Sequence, residues 1–145
     1  MASAVVFGVD RVRTGQERDV AEAGLAQLQT QFRAVEQLAA APDARGDAGA
    51  KVYGATSFVL ASHILDKAVL LISDLPTPPA GRTYQAWLVG AGHLRSLGLV
   101  PQGTKGTPPL VFTGLQGVNE VGLTLEPAGG SARPTTPPVA LCELP

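Results

Sequence analysis

The chain of 145 residues, with a mass of 14.9 kDa, has room for one domain and a helical appendage. Hydrophobic residues make up 45% and charged residues 16%, which excludes a chain kept disordered by high charge and low hydrophobicity. The formal net charge of −1 argues against a nucleic-acid partner, and the single cysteine excludes an intrachain disulfide and a cysteine-based zinc site.

Residues 1–9 are mostly apolar and uncharged, but they are too few to span a bilayer, which takes about 20 such residues. Two interpretations of this segment are open. It is either the start of the helix that follows or the end of a membrane helix that lies mainly before Met1. The nine residues by themselves favour the first interpretation.

Residues 10–41 are predicted to form an amphipathic helix, because Ala, Gln, Glu, Arg and Leu dominate the segment and no proline interrupts it. Leu25, Leu28, Phe32 and Val35 follow the alternating spacing of three and four residues that is typical of a coiled-coil seam. The pattern covers roughly two and a half heptads, fewer than the three or four of an established coiled coil. Two alternatives remain: a helix packed on its own domain, or a stalk that pairs two chains in a homodimer.

Residues 42–50 are small, polar and rich in Gly, Pro and Asp, and they are predicted to form a linker. In residues 51–145 the apolar residues recur with a period of two, and clusters of Gly and Pro separate the runs. Seven short strands are predicted, at about residues 52–61, 67–73, 82–89, 94–100, 109–113, 119–126 and 138–144. We therefore expect a mainly β domain, an antiparallel seven-stranded β-sandwich of immunoglobulin-like size, behind one long N-terminal α-helix.

Two of these strands carry a specific signal. Val121, Leu123 and Leu125 alternate with polar residues, which predicts that the three side chains face the core. Residues 68–72 are apolar on both faces, which predicts a central strand.

The sequence contains no recognisable catalytic set. Serines and histidines occur without a nucleophile-elbow motif, and the carboxylates are scattered along the chain. Cys142 lies in a predicted strand, where we expect a buried and inert thiol. His63 and His93 lie in predicted turns, and we expect both to be exposed. The sequence therefore predicts no enzyme activity, no metal site and no cofactor.

Two segments are dense in unusual residues. Residues 79–92 contain the only tryptophan, Trp87, close to Tyr84 and Gln85. In a strand, Tyr84 points to one face and Gln85 and Trp87 point to the other. We expect Trp87 to fill the core between the two sheets, and the alternative is an aromatic platform for a ligand or partner. Residues 124–141 are rich in Gly and Pro and form either a rigid connection or a recognition loop.

These two segments, in this order, resemble the C-terminal domain of anti-sigma-K factors. That family shows a Pro-Ala-Gly-x-x-Tyr-Gln-x-Trp-Leu strand, a Ser-x-Gly-Leu strand, and then Glu-Pro-x-Gly-Gly-Ser with a Pro-Thr-Thr-Pro-Pro run. The matching motif residues, which define a fold or a partner surface, include Tyr84, Gln85, Trp87, Glu126, Pro127, Gly129, Gly130, Pro134 and Pro137. The resemblance covers the chain from about residue 16 to residue 144.

The resemblance implies the extracytoplasmic regulatory domain of a single-pass bacterial membrane protein. In that family a cytoplasmic domain sequesters an extracytoplasmic-function sigma factor, and regulated proteolysis releases the sigma factor. Val5, Val6, Phe7 and Val9 would then form the outer end of the membrane helix through which this chain contacts the membrane. The single cysteine does not fit the family's His-x-x-x-Cys-x-x-Cys zinc motif. We therefore expect the sigma-binding domain to be missing from these residues, with the sigma factor a partner of that missing domain only.

The alternative function is a secreted or surface binding module that recognises a carbohydrate or a cell-envelope partner. Its motivation is the presence of a tryptophan and a tyrosine on one predicted strand. A buried Trp87 would count against this alternative, because a sugar platform needs an exposed aromatic face.

Overall fold

The computed structural model describes residues 2–49, 54–100 and 107–145 of the chain. The chain forms two compact units, residues 1–34 and residues 35–145. The first unit is helical, and the second contains the last turns of the helix and the strands.

One long helix, α1, extends from Ala2 to Ala40. Its residues favour helix, and it ends just before Pro42, because the residue that precedes a proline avoids helical backbone angles. The single N-terminal helix that the sequence predicts is confirmed, and it begins earlier than residue 10. Within the described residues, no helix combines the length and the apolar character needed to cross a membrane.

The described residues of the second unit contain eight strands: β1 (Arg45–Ala48), β2 (Thr56–Ser62), β3 (Lys67–Ser73), β4 (Arg82–Gly90), β5 (His93–Val100), β6 (Leu110–Thr113), β7 (Val118–Pro127) and β8 (Ala140–Glu143). They pair antiparallel in two sheets, the first sheet in the order β1-β2-β3-β6 and the second sheet in the order β5-β4-β7-β8. The mainly β, antiparallel architecture is therefore confirmed, whereas the predicted count of seven strands is too low by one.

The additional strand is β1, which lies inside the predicted linker of residues 42–50. Its side chains are largely exposed, and it pairs with β2 through the main chain. A strand held mainly by main-chain hydrogen bonds leaves no apolar alternation in the sequence. Gly46 lies under the ring of Phe58, where a Cβ would collide with that ring.

The inner faces of the two sheets share one hydrophobic core. Its fully buried members are Val59, Ala61, Ala68, Leu70, Ile72, Tyr84, Ala86, Leu88, Val100, Phe112, Leu115, Val121, Leu123, Ala140 and Cys142. Val121 and Leu123 face this core and Leu125 packs against it, as the alternation in the sequence predicts. β3 lies between β2 and β6, which confirms the predicted central strand. The Cys142 thiol is buried as expected, and this burial raises its pKa.

Asp43, just after the helix, fixes the turn between β2 and β3. Its Oδ1 accepts a hydrogen bond from the Ser62 hydroxyl at 2.5 Å, and its Oδ2 accepts one from the main-chain N–H of Ile64 at 2.9 Å. These hydrogen bonds, led by the one from Ser62, favour the carboxylate and lower the pKa of Asp43. His63 lies exposed in the same turn, as expected.

Candidate functional site

The candidate site lies on the outer face of the second sheet, opposite the shared core. Along β4, Ala86 and Leu88 belong to the core, whereas Gln85 and Trp87 point to the outer face. Trp87 is nevertheless only 2% exposed. The expectation that Trp87 fills the core between the sheets is therefore wrong, because the strand's alternation places its indole on the opposite face.

The register between β4 and β7 explains how the indole is accommodated. Trp87 lies opposite Gly122, which has no side chain, and Gln85 lies opposite Thr124. The indole Nε1–H of Trp87 donates a hydrogen bond of 2.8 Å to the Thr124 hydroxyl, a diagonal neighbour across the two strands. A buried indole N–H is thus satisfied without any ligand.

Residues 128–138, which we call the strap, provide the cover for this outer face. The side-chain amide of Gln85 pairs with the main chain of Ser131: Nε2 donates to the carbonyl at 3.0 Å, and Oε1 accepts from the N–H at 2.8 Å. The second Nε2 hydrogen donates to the Ser96 hydroxyl of β5 at 2.8 Å. One glutamine therefore joins β4, its edge neighbour β5 and the strap.

The strap begins with a reversal that requires glycine. Gly129 and Gly130 have φ angles of +93° and +85°, in the region that side chains rarely adopt. A Cβ at Gly130 would lie 3.0 Å from Gln85 Oε1 and 2.9 Å from Leu99 Cδ2. Gly130 is needed both for the backbone angle and for the close approach of the strap to Gln85.

Glu126 holds the far end of the strap. Its carboxylate is fully buried, and it accepts the main-chain N–H of Thr135 at 2.6 Å and the Thr135 hydroxyl at 2.7 Å. Hydrogen bonds to a buried carboxylate offset the cost of removing its charge from water. The next residue, Thr136, donates its hydroxyl to the Leu125 carbonyl at 2.8 Å and accepts the Leu125 N–H at 3.2 Å.

The structure thus brings most of the predicted motif residues into one arrangement. Gln85, Trp87 and Glu126 lie on the outer face of the second sheet, and Pro127 ends β7. The remaining motif residues lie in the strap, at Gly129, Gly130, Pro134 and Pro137. Sequence analysis did not assign a role to Thr124 or Thr135, although Thr135 stands in the Pro-Thr-Thr-Pro-Pro run that the motif contains.

Tyr84 takes a separate place, on the inner face at the end of β4. Its ring is 5% exposed and its Oη–H donates to the Pro76 carbonyl at 2.8 Å. Burial raises the pKa of Tyr84. Together with Leu125 and Pro137, it lines an open groove of about 440 Å³ between the strap and the connection from β3 to β4.

The buried polar groups of the candidate site are hydrogen-bonded within the protein. Across the described part of the chain, every buried side-chain nitrogen or oxygen has a hydrogen-bond partner. In the same residues, no three metal-ligating side chains form a group that could hold an ion. The buried Trp87 also lacks the exposed aromatic face that a carbohydrate platform requires.

The predicted helix seam is a second candidate surface, in the helical unit. Leu25, Leu28 and Phe32 are 57%, 59% and 67% exposed, which is unusual for three large apolar side chains on one helix face. Val35, which begins the second unit, is half-buried.

Comparison with known proteins identifies a family to which this chain is similar. The family model described as "Anti-sigma-K factor rskA, C-terminal" matches residues 1–139. A Streptomyces griseus protein described as an uncharacterized protein in the phr 5' region is 35% identical over 145 residues, covering 100% of this chain and 61% of that protein. The anti-sigma-K factor RskA of Mycolicibacterium vanbaalenii is 38% identical over 111 residues, covering 76% of this chain and 46% of that protein. The RskA of Mycobacterium ulcerans is 34% identical over 111 residues.

The chain therefore spans between about half and three-fifths of the length of these relatives. No solved structure matches it.

Proposed function

The chain belongs to the anti-sigma-K factor C-terminal domain family, and from this premise we propose that it is the extracytoplasmic regulatory domain of a membrane-bound anti-sigma factor. In this proposal, a separate cytoplasmic domain binds an extracytoplasmic-function sigma factor, and regulated proteolysis releases it. The observation that carries the proposal is the family match over residues 1–139, which includes the helix and every described strand except β8.

The helix has the dimensions of a stalk between membrane and sheets. At a rise of about 1.5 Å per residue, the part of the helix that follows residue 9, residues 10–40, extends over about 46 Å. Val5, Val6, Phe7 and Val9 would contribute the outer end of a single membrane-spanning helix. A stalk of this length separates a proteolytic site near the membrane from the domain that receives the signal.

The strap gives this domain two distinguishable states, one with the strap attached to the second sheet and one with it detached. Gln85, Glu126 and Thr136 tie residues 128–138 to the second sheet by hydrogen bonds. Loss of these hydrogen bonds would leave the buried polar groups of Gln85 and Glu126 without their partners in the strap. Detachment of the strap would therefore expose a new segment of the chain to a protease. In this proposal, signal transfer through the stalk requires the folded domain.

We also propose that two chains pair through the helix, along the seam of Leu25, Leu28, Phe32 and Val35. The exposed side chains occupy positions a and d of consecutive heptads, where a second copy of the same helix would cover them. Glu22 and Glu36, at the e positions that flank the seam, are both acidic, which disfavours an anionic surface as the occupant.

Cysteine accessibility tests the proposed location. Ile64 is 69% exposed in the turn between β2 and β3, whereas the natural Cys142 is 1% exposed. In intact cells that produce the full-length protein, a membrane-impermeant maleimide should label Ile64→Cys and leave the wild-type protein at background. Labelling of Ile64→Cys only after the cells are permeabilised would overturn the extracytoplasmic placement.

A reporter driven by the cognate sigma factor tests the regulatory role. Gln85→Leu combined with Thr135→Val should loosen the strap, lower the amount of intact anti-sigma protein and raise reporter expression. Gln116→Leu changes an exposed glutamine outside the strap and should leave both quantities unchanged. Reporter expression that is insensitive to the state of this domain would contradict the proposal.

A further inference from the structure

The groove beside Tyr84 has features that the regulatory role does not use. It opens where the shared core reaches the surface, at the ends of β4 and β7, where Tyr84 and Leu125 lie opposite each other. The β3–β4 connection forms one wall, and the end of the strap with Val139 forms the other. Its volume of about 440 Å³ lies within the range of small-molecule sites.

The walls of this groove are fixed to its floor. Tyr84 donates its hydroxyl to Pro76 in one wall, and Thr136 in the other wall exchanges two hydrogen bonds with the main chain of Leu125. Just beyond the strap, the Val139 N–H donates to the Leu123 carbonyl at 2.8 Å. Proline backbones in both walls add stiffness, because each ring fixes φ. A groove with such walls is formed before a ligand arrives, which lowers the entropic cost of binding.

The lining specifies the chemistry of the occupant. Its ten residues include no charged side chain, and the apolar residues Leu75, Leu125 and Val139 pack against the hydrophobic core at its base. The hydroxyls of Tyr84 and Thr136 already donate to main-chain carbonyls within the walls. A charged group would lose its hydration here without gaining a counter-charge.

The prolines also disfavour a peptide that binds as an added strand. Pro76, Pro79 and Pro137 line the groove and have no N–H to donate. Strand addition depends on main-chain hydrogen bonds along an exposed edge. An occupant of this groove must therefore bind by apolar contact and shape.

The groove has the volume of a small-molecule site, fixed walls, an uncharged lining and prolines that disfavour strand addition. From these four properties we propose that it is a binding site for a small, uncharged, lipophilic molecule. The contribution of the groove to signalling rests on the proposed regulatory function, whereas the binding of such a molecule does not. A ligand here would contact both the strap and the β3–β4 connection, and it would therefore favour the strapped state.

The probe N-phenyl-1-naphthylamine, which is uncharged and fluoresces in apolar surroundings, tests the proposal with the 145-residue chain. We expect a saturable rise in fluorescence with one site per chain. Thr77→Trp places an indole in the groove from an exposed position and should weaken binding by at least about tenfold. The sulfonated analogue 1-anilinonaphthalene-8-sulfonate should bind more weakly than the uncharged probe, because the lining offers no cation.

Two control variants separate the groove from other surfaces. Gln116→Trp adds the same indole beside a second cavity of about 330 Å³, which Arg95 and His93 line, and it should leave probe binding unchanged. Leu28→Asp changes the apolar face of the helix and should also leave binding unchanged. Circular dichroism and a thermal melt confirm that each variant is folded.

Three results would overturn the assignment: no saturable binding, equal loss in Thr77→Trp and Gln116→Trp, or loss in Leu28→Asp. Any of them would leave the regulatory function standing, since maleimide labelling and the sigma-dependent reporter test that function without a ligand.

Discussion

The hydrogen bonds between Glu126 and Thr135 should control the stability of the strap. Thr135→Val keeps the shape of the side chain and removes the hydroxyl that donates to the carboxylate at 2.7 Å. A hydrogen bond to a charged group contributes about 1.5–3 kcal/mol. Thr135 is exposed and its main-chain N–H still donates to Glu126 at 2.6 Å. Water and this second donor offset part of the loss, so we expect the low end of the range, about 1.5 kcal/mol.

Urea unfolding of the wild-type protein and of Thr135→Val measures this loss as a difference in the free energy of unfolding. Thr56→Val, at an exposed position of β2, is the matched control and should change stability by less than about 0.5 kcal/mol. Trp87 is the only tryptophan and lies buried on the outer face of the second sheet, so its fluorescence follows the unfolding directly.

A double-mutant cycle with Glu126→Gln identifies the partner. Glu126→Gln removes the charge and turns one acceptor into a donor that faces the Thr135 donors. If the hydroxyl and the carboxylate interact as the structure shows, the two substitutions should be non-additive by at least about 0.5 kcal/mol. Additive effects, or a loss in Thr135→Val no larger than in Thr56→Val, would refute the reasoning.

Three further predictions concern other parts of the molecule. Gly130→Ala should lower the free energy of unfolding by about 1–3 kcal/mol through the positive φ, with an added loss from contact with Gln85. Leu28→Asp should convert a dimer to a monomer in sedimentation equilibrium, and a wild-type chain that stays monomeric at high concentration would refute the seam. Asp43→Asn should destabilise the protein above about pH 4, where the wild-type carboxylate is ionised, and the difference should disappear as the pH falls through the lowered pKa of Asp43.

Matched controls sharpen two of these predictions. Gly129 has a similar φ of +93° but open space around a Cβ, so Gly129→Ala should cost less than Gly130→Ala. Equal losses in the free energy of unfolding in the two variants would show that contact with Gln85 contributes nothing to the cost of Gly130→Ala. For the pH dependence, the sign follows from the direction of the shift: hydrogen bonds to a carboxylate stabilise the folded state only while it is ionised. A difference between wild type and Asp43→Asn that persisted at low pH would contradict it.

The alternation of apolar residues predicts the inner face of a strand well when the outer face is polar. The pattern predicts that Val121 and Leu123 face the core, and both are in it. In β4 both faces are buried, so a period of two could not show which face meets the other sheet. The sequence pattern therefore predicts that Trp87 is buried but does not identify the face of the sheet on which it lies.

The outer face of the second sheet is closed by contacts that are distant in sequence. Ser131 lies 46 residues from Gln85, and no local pattern links the two. Glu126 looks like a solvent-exposed residue at a strand end, yet it is fully buried, and two hydrogen bonds from Thr135 offset the cost of burying its charge. β1 leaves no signal in the sequence for a related reason, since main-chain pairing with β2 requires no particular side chains.

The most prominent motif residues, Gln85, Trp87 and Glu126, use their polar groups within the fold, so they are not free to bind a signal. Within the described residues, the groove beside Tyr84 and the helix seam are two other candidates for that role. The groove lies in the second unit, whereas Leu25, Leu28 and Phe32 of the seam lie in the first. Thr77→Trp should therefore weaken probe binding by at least about tenfold without changing the oligomeric state. Leu28→Asp should change the oligomeric state without changing probe binding. Loss of probe binding in Leu28→Asp would contradict the placement of the probe in the groove, and a change of oligomeric state in Thr77→Trp would contradict the placement of the dimer contact on the seam.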